Sequence, residues 1–259
     1  MNKKTIPLNA AMAIFAMNVV ALSPVVARLS QERGLSESTA GWLFTCHFAG
    51  FVLLALVGAA IASRLGKKRI ITLALLGFAA GFLLFSIADA FWAECLIMFA
   101  LGGCGGIVEC LSAALASDLD PERPEQAVNR LQIWFSAGAV VSPLLASLFL
   151  AYIPWWKSFY LLLGALAAAA AVALWRTPIA AGGGDDQALR LRDLPAVLKE
   201  WGFLLMCLCM AAYTGSEIGA WGWLSSLLQG KTAFTALQSG LVVSLFWLAM
   251  TVGRAVAGW

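Results

Sequence analysis

Two acids in this chain stand where acids are expensive. Glu109 lies in the apolar run 96–116, behind Gly102, Gly103, Gly105 and Gly106, with no other charge in that run. A carboxylate at such depth in hydrocarbon costs roughly 2.5–3.5 kcal/mol on insertion scales, and such acids face a bundle interior or a water-filled cavity. Glu217 sits alone in a second apolar run, 203–228. A pair of acids at membrane depth points first to a proton or solute path.

The spacing around each acid sharpens that reading. Glu109 is three and four residues beyond Gly106 and Gly105 and therefore shares their helix face. Gly102 and Gly106 form a small-xxx-small pair that lets another helix approach closely. An acid held there and exchanging a proton is what coupling requires; the competing reading is a structural acid bonded to a neighbouring helix. Tyr213 and Trp221 lie four residues either side of Glu217, on one face. Rings can stack on sugar C–H faces while a carboxylate accepts hydroxyl hydrogen bonds, although ordinary aromatic packing fits the same pattern. Asn18, His47, Gln132 and Ser136 are the remaining polar groups deep in apolar runs. They either line a central cavity or bond across helices for roughly 0.6 kcal/mol each.

These residues need helices to position them, and composition says of which kind. The chain is 61% hydrophobic and 12% charged, with mean hydropathy +0.86. Soluble domains carry about 25% charged residues, so this is an all-α polytopic membrane protein with the lipid bilayer as its solvent. About eight runs reach the roughly 20 residues that crossing requires: 8–27, 40–62, 70–87, 91–116, 131–152, 159–175, 203–228 and 237–259. Connections are short except 31–39, 118–129 and the polar stretch 176–200, which contains Gly182-Gly183-Gly184-Asp185-Asp186, a flexible-linker pattern. Pro24 and Pro143 are expected to kink their helices.

With the N-terminus inside, the inner segments hold Lys3, Lys4, Arg64, Lys67, Lys68, Arg69, Arg123, Arg130, Arg176, Arg190, Arg192 and Lys199. The outer segments hold only Arg28, Arg33, Lys157 and Lys231. Positive charge on the inner loops selects this orientation: a multi-pass protein of the cell (inner) membrane, N-terminus cytoplasmic. The net charge of +3 then reflects topology, and no nucleic-acid partner is expected. The six cysteines all lie in apolar runs and read as buried free thiols. No metal set, nucleotide-binding loop or hydrolytic triad can be assembled, so neither an enzyme nor a cofactor is expected.

The loop after the second span reads Ser63-Arg64-Leu65-Gly66-Lys67-Lys68-Arg69. Gly66 allows a tight turn between two spans, and the bases hold the loop inside. Arg64, Gly66, Lys67 and Lys68 resemble the signature loop of the major facilitator superfamily, with Ser63 where that family has aspartate. Gly253-Arg254-x-x-x-Gly258 looks like its second-half echo. The resemblance implies a fold of two six-helix bundles. It divides the chain into a bundle at 1–175, a cytoplasmic linker at 176–200 and the first two helices of a second bundle at 201–259. Because the chain stops at the edge of a span, a C-terminal truncation is expected.

Within that superfamily, Gly103-Cys-Gly-Gly106-Ile-Val-Glu109, Asn129-Arg-Leu131-Gln132 and Tyr213-Thr-Gly215-Ser-Glu217 resemble the fucose permease group of sugar–proton symporters. The group often has histidine where Gln132 stands, asparagine where Ala113 stands, and an acid in the first span, which here offers Asn18. The resemblance implies a secondary active transporter of a small polar solute, a sugar first, coupled to protons by alternating access and working as a monomer when full-length. Glu109 takes the proton-linked role; Glu217, Gln132, Asn18, Tyr213, Trp221 and His47 the substrate-binding role. Arg64, Gly66, Lys67, Lys68 and Arg254 form the gating loops. Efflux of a drug or metabolite is the alternative within the family, and an inactive fragment the alternative outside it.

Overall fold

The computed structural model describes residues 3–179 and 199–257, with the side chains of Lys3 and of residues 254–257 outside the description. The expected linker thus lies largely outside the described residues. Among the described residues the fold is made of eight long apolar helices: α1 Ile6–Arg33, α2 Glu37–Leu65, α3 Lys67–Ile87, α4 Phe91–Leu119, α5 Pro124–Tyr152, α6 Ser158–Arg176, α7 Trp201–Lys231 and α8 Ala236–Ala257. All eight are long and apolar enough to cross a membrane, and no strand occurs among the described residues. The protein is an all-α, multi-pass membrane protein.

Several helices outrun the spans that hydropathy marks. The polar stretches 31–39 and 118–129, expected as loops, are mostly helical: α1 continues to Arg33, α2 restarts at Glu37, and only residues 120–123 separate α4 from α5. A helix of 28 residues is about 42 Å long against a hydrocarbon core of about 30 Å, so its polar ends stand in the headgroups with their backbone bonds intact. What stops the helices is local chemistry. Gly34 adopts φ 61° and its N–H bonds Ser30 O, a left-handed end that glycine takes without Cβ strain. Ser36 then caps α2, its Oγ accepting from Thr39 N at 3.2 Å. Gly66, at φ 88°, is the whole connection between α2 and α3, as its position in the basic loop predicts. Pro24 and Pro143 both sit inside continuous helices.

Three pairs organise the bundle: α2 on α4, α1 on α5 and α3 on α6; α8 lies along α5, and α7 touches α1. In α1, 89% of the most apolar window is buried, whereas α7 has 0%. The first helix is therefore the axis of the molecule; α7 buries Trp221, Gly222 and Ser225 and bonds α1 at Ser225–Ser23 and Gln229–Gln31. Leu53, Leu56, Leu73, Leu83 and Leu96 point outward, the face that lipid tails cover. The cysteines divide: Cys95 is buried, Cys46 and Cys104 are partly so, and Cys110, Cys207 and Cys209 are exposed on the apolar face. Burial was expected for all six; an apolar run facing lipid and one facing protein have the same composition, which is why sequence could not separate them.

Candidate functional site

The glycines of α4 do what their spacing requires. A Cβ on Gly102 would overlap His47 O, and one on Gly106 would overlap Phe51 O, so α2 and α4 are in backbone contact. Gly50 repeats the arrangement from the other side, against Phe99 O. Gly105 packs on Phe15 of α1. Glu109 lies one turn beyond this seam, half-buried, and makes no hydrogen bond or ion pair among the described residues. It is an unpartnered acid on a close-packed helix face.

Contacts along α1 set the depth of the other polar residues. Gly105 on Phe15 brings Glu109 to about the level of Ala11, and Gly138 on Ala13 brings Gln132 to about that of Pro7. Ser225 N reaches Ser23 Oγ at 3.4 Å, which puts Glu217 near the level of Phe15. Asn18 and Glu109 therefore stand on opposite sides of the Phe15–Gly105 contact, about 10 Å apart along the axis at 1.5 Å per residue. Asn18, Glu217, Glu109 and Gln132 thus succeed one another along α1, while His47, opposite Gly102, stands at about the level of Asn18.

Asn18 and His47 are fully buried. Neither Asn18 side-chain atom nor either His47 ring nitrogen has a hydrogen-bond partner of good geometry, although the Met98 backbone lies beside the His47 ring. One residue from Asn18, the backbone of α1 is satisfied: Ser142 Oγ donates to Met17 O at 2.6 Å. Gln132 opens instead into a groove of about 470 Å³ at the Gly66 end, with Ser117, Pro124 and Asn129. Glu217 is half-buried and Tyr213 exposed, and both have partners. Trp221 is 1% exposed, packed edge-on against Phe44 at 6.4 Å and tilted against Trp247 at 5.9 Å. The structure thus separates Trp221 from Tyr213, which the sequence put on one face of Glu217: one ring is core, the other open.

Rings link the helices around α1. Phe51 stacks on Phe15 at 5.8 Å, Phe15 meets Phe135 at 5.6 Å, and Phe135 meets Trp247 at 5.9 Å. Trp247, Trp221 and Phe44 complete the path back to α2. Within this ring the Trp247 indole N–H is itself buried without a partner.

At the Gly66 end the basic loop is engaged rather than free. Lys67 Nζ pairs with Asp118 at 2.9 Å, and Lys68 Nζ donates to the carbonyls of Trp175 and Thr177 at 3.0 and 2.9 Å. Arg64 is exposed. Arg254 belongs to α8, but its side chain is outside the description.

Sequence reasoning missed one charged cluster, at the opposite end. Glu94, in the first turn of α4, is fully buried. Arg33 donates to both of its oxygens at 2.7 and 2.8 Å, and Lys157 to one at 2.9 Å. Lys157 also donates to Ala88 O. Beside it Trp156 is 5% exposed and donates to Glu32 at 3.2 Å. Helix α1, the start of α4 and the entry to α6 are tied by these charges.

Fold and site together define a polytopic membrane protein that holds unpartnered polar groups inside a helix bundle. Residues 8–259 match the model of the Major Facilitator Superfamily, and the chain belongs to that family. It is similar to an MFS-type transporter of Bacillus subtilis (strain 168), YceJ, at 28% identity over 132 residues, which are 51% of this chain and 28% of that one. It is 29% identical over 150 residues to azole resistance protein 1 of Saccharomyces cerevisiae, 56% of this chain and 24% of that protein. A Bacillus subtilis protein named for niacin/nicotinamide transport, NiaP, is 24% identical over 252 residues, 94% of this chain and 62% of its own length. The chain thus spans less than two thirds of the curated relatives it matches. Among solved structures, an inward-facing bacterial homologue of the human lysosomal transporter Spinster superimposes with TM-score 0.75 at 16% identity, over 98% of this chain and 61% of that one. The xylose transporter XylE of E. coli gives 0.66 at 15%, over 97% and 71%. At such identities the likeness shows the fold.

Proposed function

We propose that the chain is part of a secondary active transporter that moves a small polar solute, a sugar first, across the cell membrane by alternating access coupled to protons. In this reading residues 1–175 are one rocking bundle, 201–259 begin its counterpart, and the N-terminus and the Gly66 end are cytoplasmic. The observation that carries it is Glu109. A carboxylate without a partner, beside a helix seam too tight to admit side chains, is held for something other than packing. Asn18 and His47 offer neutral hydrogen-bonding groups at one depth along α1 and Gln132 at another, and Glu217 adds an acid between them.

The test is proton-driven uptake in proteoliposomes. Glu109→Gln is expected to lower uptake driven by a pH gradient by about tenfold or more while solute exchange without a gradient persists. Wild-type coupling in Glu109→Gln removes the role assigned to it, and no transport of any solute by the 259-residue chain supports the inactive-fragment reading. One observation favours the alternative of drug or metabolite efflux: the ring path through Phe15, Phe135, Trp247, Trp221 and Phe44, which suits a flat aromatic solute. Ligand-induced melting shifts with sugars on one side and heteroaromatic compounds on the other separate the two.

A further inference from the structure

Helices α3 and α6 part at the Gly66 end and leave a groove of about 530 Å³. Its walls are Leu73 and Leu76 on one side and Val172 and Trp175 on the other, all exposed on the face where lipid tails lie. Two guanidiniums, those of Arg69 and Arg176, stand over its end. Both are exposed, and neither has an ion pair among the described residues.

The absence of counter-charge there among the described residues has a definite origin. Neither α3 nor α6 carries an acidic residue in its whole length. The closest acid of α4 in the same end of the bundle, Asp118, is taken by Lys67. Lys68, the residue before Arg69, is spent on the carbonyls of Trp175 and Thr177. Its two bonds hold the end of α6 against the start of α3 and so fix the spacing of the two arginines. The result is an apolar slot open to the hydrocarbon, capped at headgroup height by two forks that no acid among the described residues neutralises.

We infer that this groove is a binding site for an anionic phospholipid, its acyl chain between Leu73, Leu76 and Val172 and its phosphate held by Arg69 and Arg176. Arginine matches phosphate geometry with paired N–H donors and remains charged throughout. A basic pocket between spans at the cytoplasmic surface is chemically suited to an acidic headgroup. Trp175 supplies the amphipathic ring that belongs at that depth. Only the leaflet from which the lipid comes rests on the orientation proposed above.

Native mass spectrometry of the delipidated chain in detergent, titrated with phosphatidylglycerol or phosphatidylcholine, tests the site without reference to orientation. Phosphatidylglycerol is expected to bind in preference to phosphatidylcholine, and Arg69→Gln with Arg176→Gln to weaken it about tenfold. Arg69→Lys with Arg176→Lys, which keeps the charge and loses the forks, falls between, and Arg28→Gln with Lys231→Gln, which removes the same charge at the other end, leaves binding unchanged. Matching circular dichroism across the variants establishes that each is folded. Undiminished binding in the double Gln variant overturns the assignment. So does equal loss in the Arg28 and Lys231 variant, or displacement of the lipid by millimolar inorganic phosphate. Orientation is read separately, by labelling Ser63→Cys in sealed vesicles with an impermeant maleimide, so failure of one reading leaves the other standing.

Discussion

Glu94 and Glu109 lie on one helix and illustrate opposite treatments of a carboxylate. Glu94 is buried with Arg33 and Lys157 supplying three charged donors; Glu109 has none among the described residues. Removing one partner from a buried ion pair strands the others and costs about 3–5 kcal/mol. Glu94→Gln is therefore expected to lower the melting temperature in detergent by several degrees. Arg33→Lys should fall between, since it keeps the charge and loses the fork. An unchanged melt in Glu94→Gln would sink the bracing role. Glu109→Gln should leave the melt alone and register in coupling. Glu109 was legible in sequence because no other charge falls between Glu94 and Asp118. Glu94 was not: it sits near a span end, where acids are ordinary, and its partners lie 61 and 63 residues away in the chain.

The helices themselves were legible as apolar runs, their ends less so. Hydropathy reports where the hydrocarbon stops, whereas a helix stops where its backbone is capped, and Gly34, Ser36 and Pro124 set those points well outside the bilayer core. Glycine spacing did forecast a close contact of α4, but only the packed structure identifies α2 as the partner and His47 O as the atom met. That yields a paired prediction. Gly102→Ala drives a methyl into the His47 carbonyl and is expected to destabilise the bundle by about 1–3 kcal/mol or more. Gly219→Ala, with nothing within 4 Å of the added Cβ, is expected to melt at or above the wild type, since alanine favours a helix over glycine by about 1 kcal/mol. Thermal unfolding in detergent reads both; equal effects would mean that the α2–α4 seam is looser than described.

For the molecule as a whole, burial runs from α1, enclosed on all sides, to α7, whose apolar window is uncovered. A lipid-dissolved carbene reagent is accordingly expected to insert into the first half of α7, around Met206 and Met210, and to spare α1. Labelling of α1 comparable to that of α7 would contradict the central position of the first helix. Sequence could not rank the helices this way. Both helices are apolar enough to cross a membrane, and whether an apolar face meets lipid or protein depends on neighbours remote in the chain. The separation of Tyr213 from Trp221 has the same cause: Phe44 and Trp247, which enclose Trp221, come from α2 and α8.

Lys68 serves at two different moments of the protein's life. While the chain is being threaded into the bilayer, α6 has yet to be made, and on the proposed orientation the lysine acts only as a charge that keeps its loop from crossing. Once residues 175–177 emerge, the same ammonium fastens the carbonyls at the end of α6, a bond that depends on position as well as charge. Moving the lysine elsewhere in the loop would preserve the first service and forfeit the second. A chain so altered should insert the right way round and then fail to close α6 onto α3.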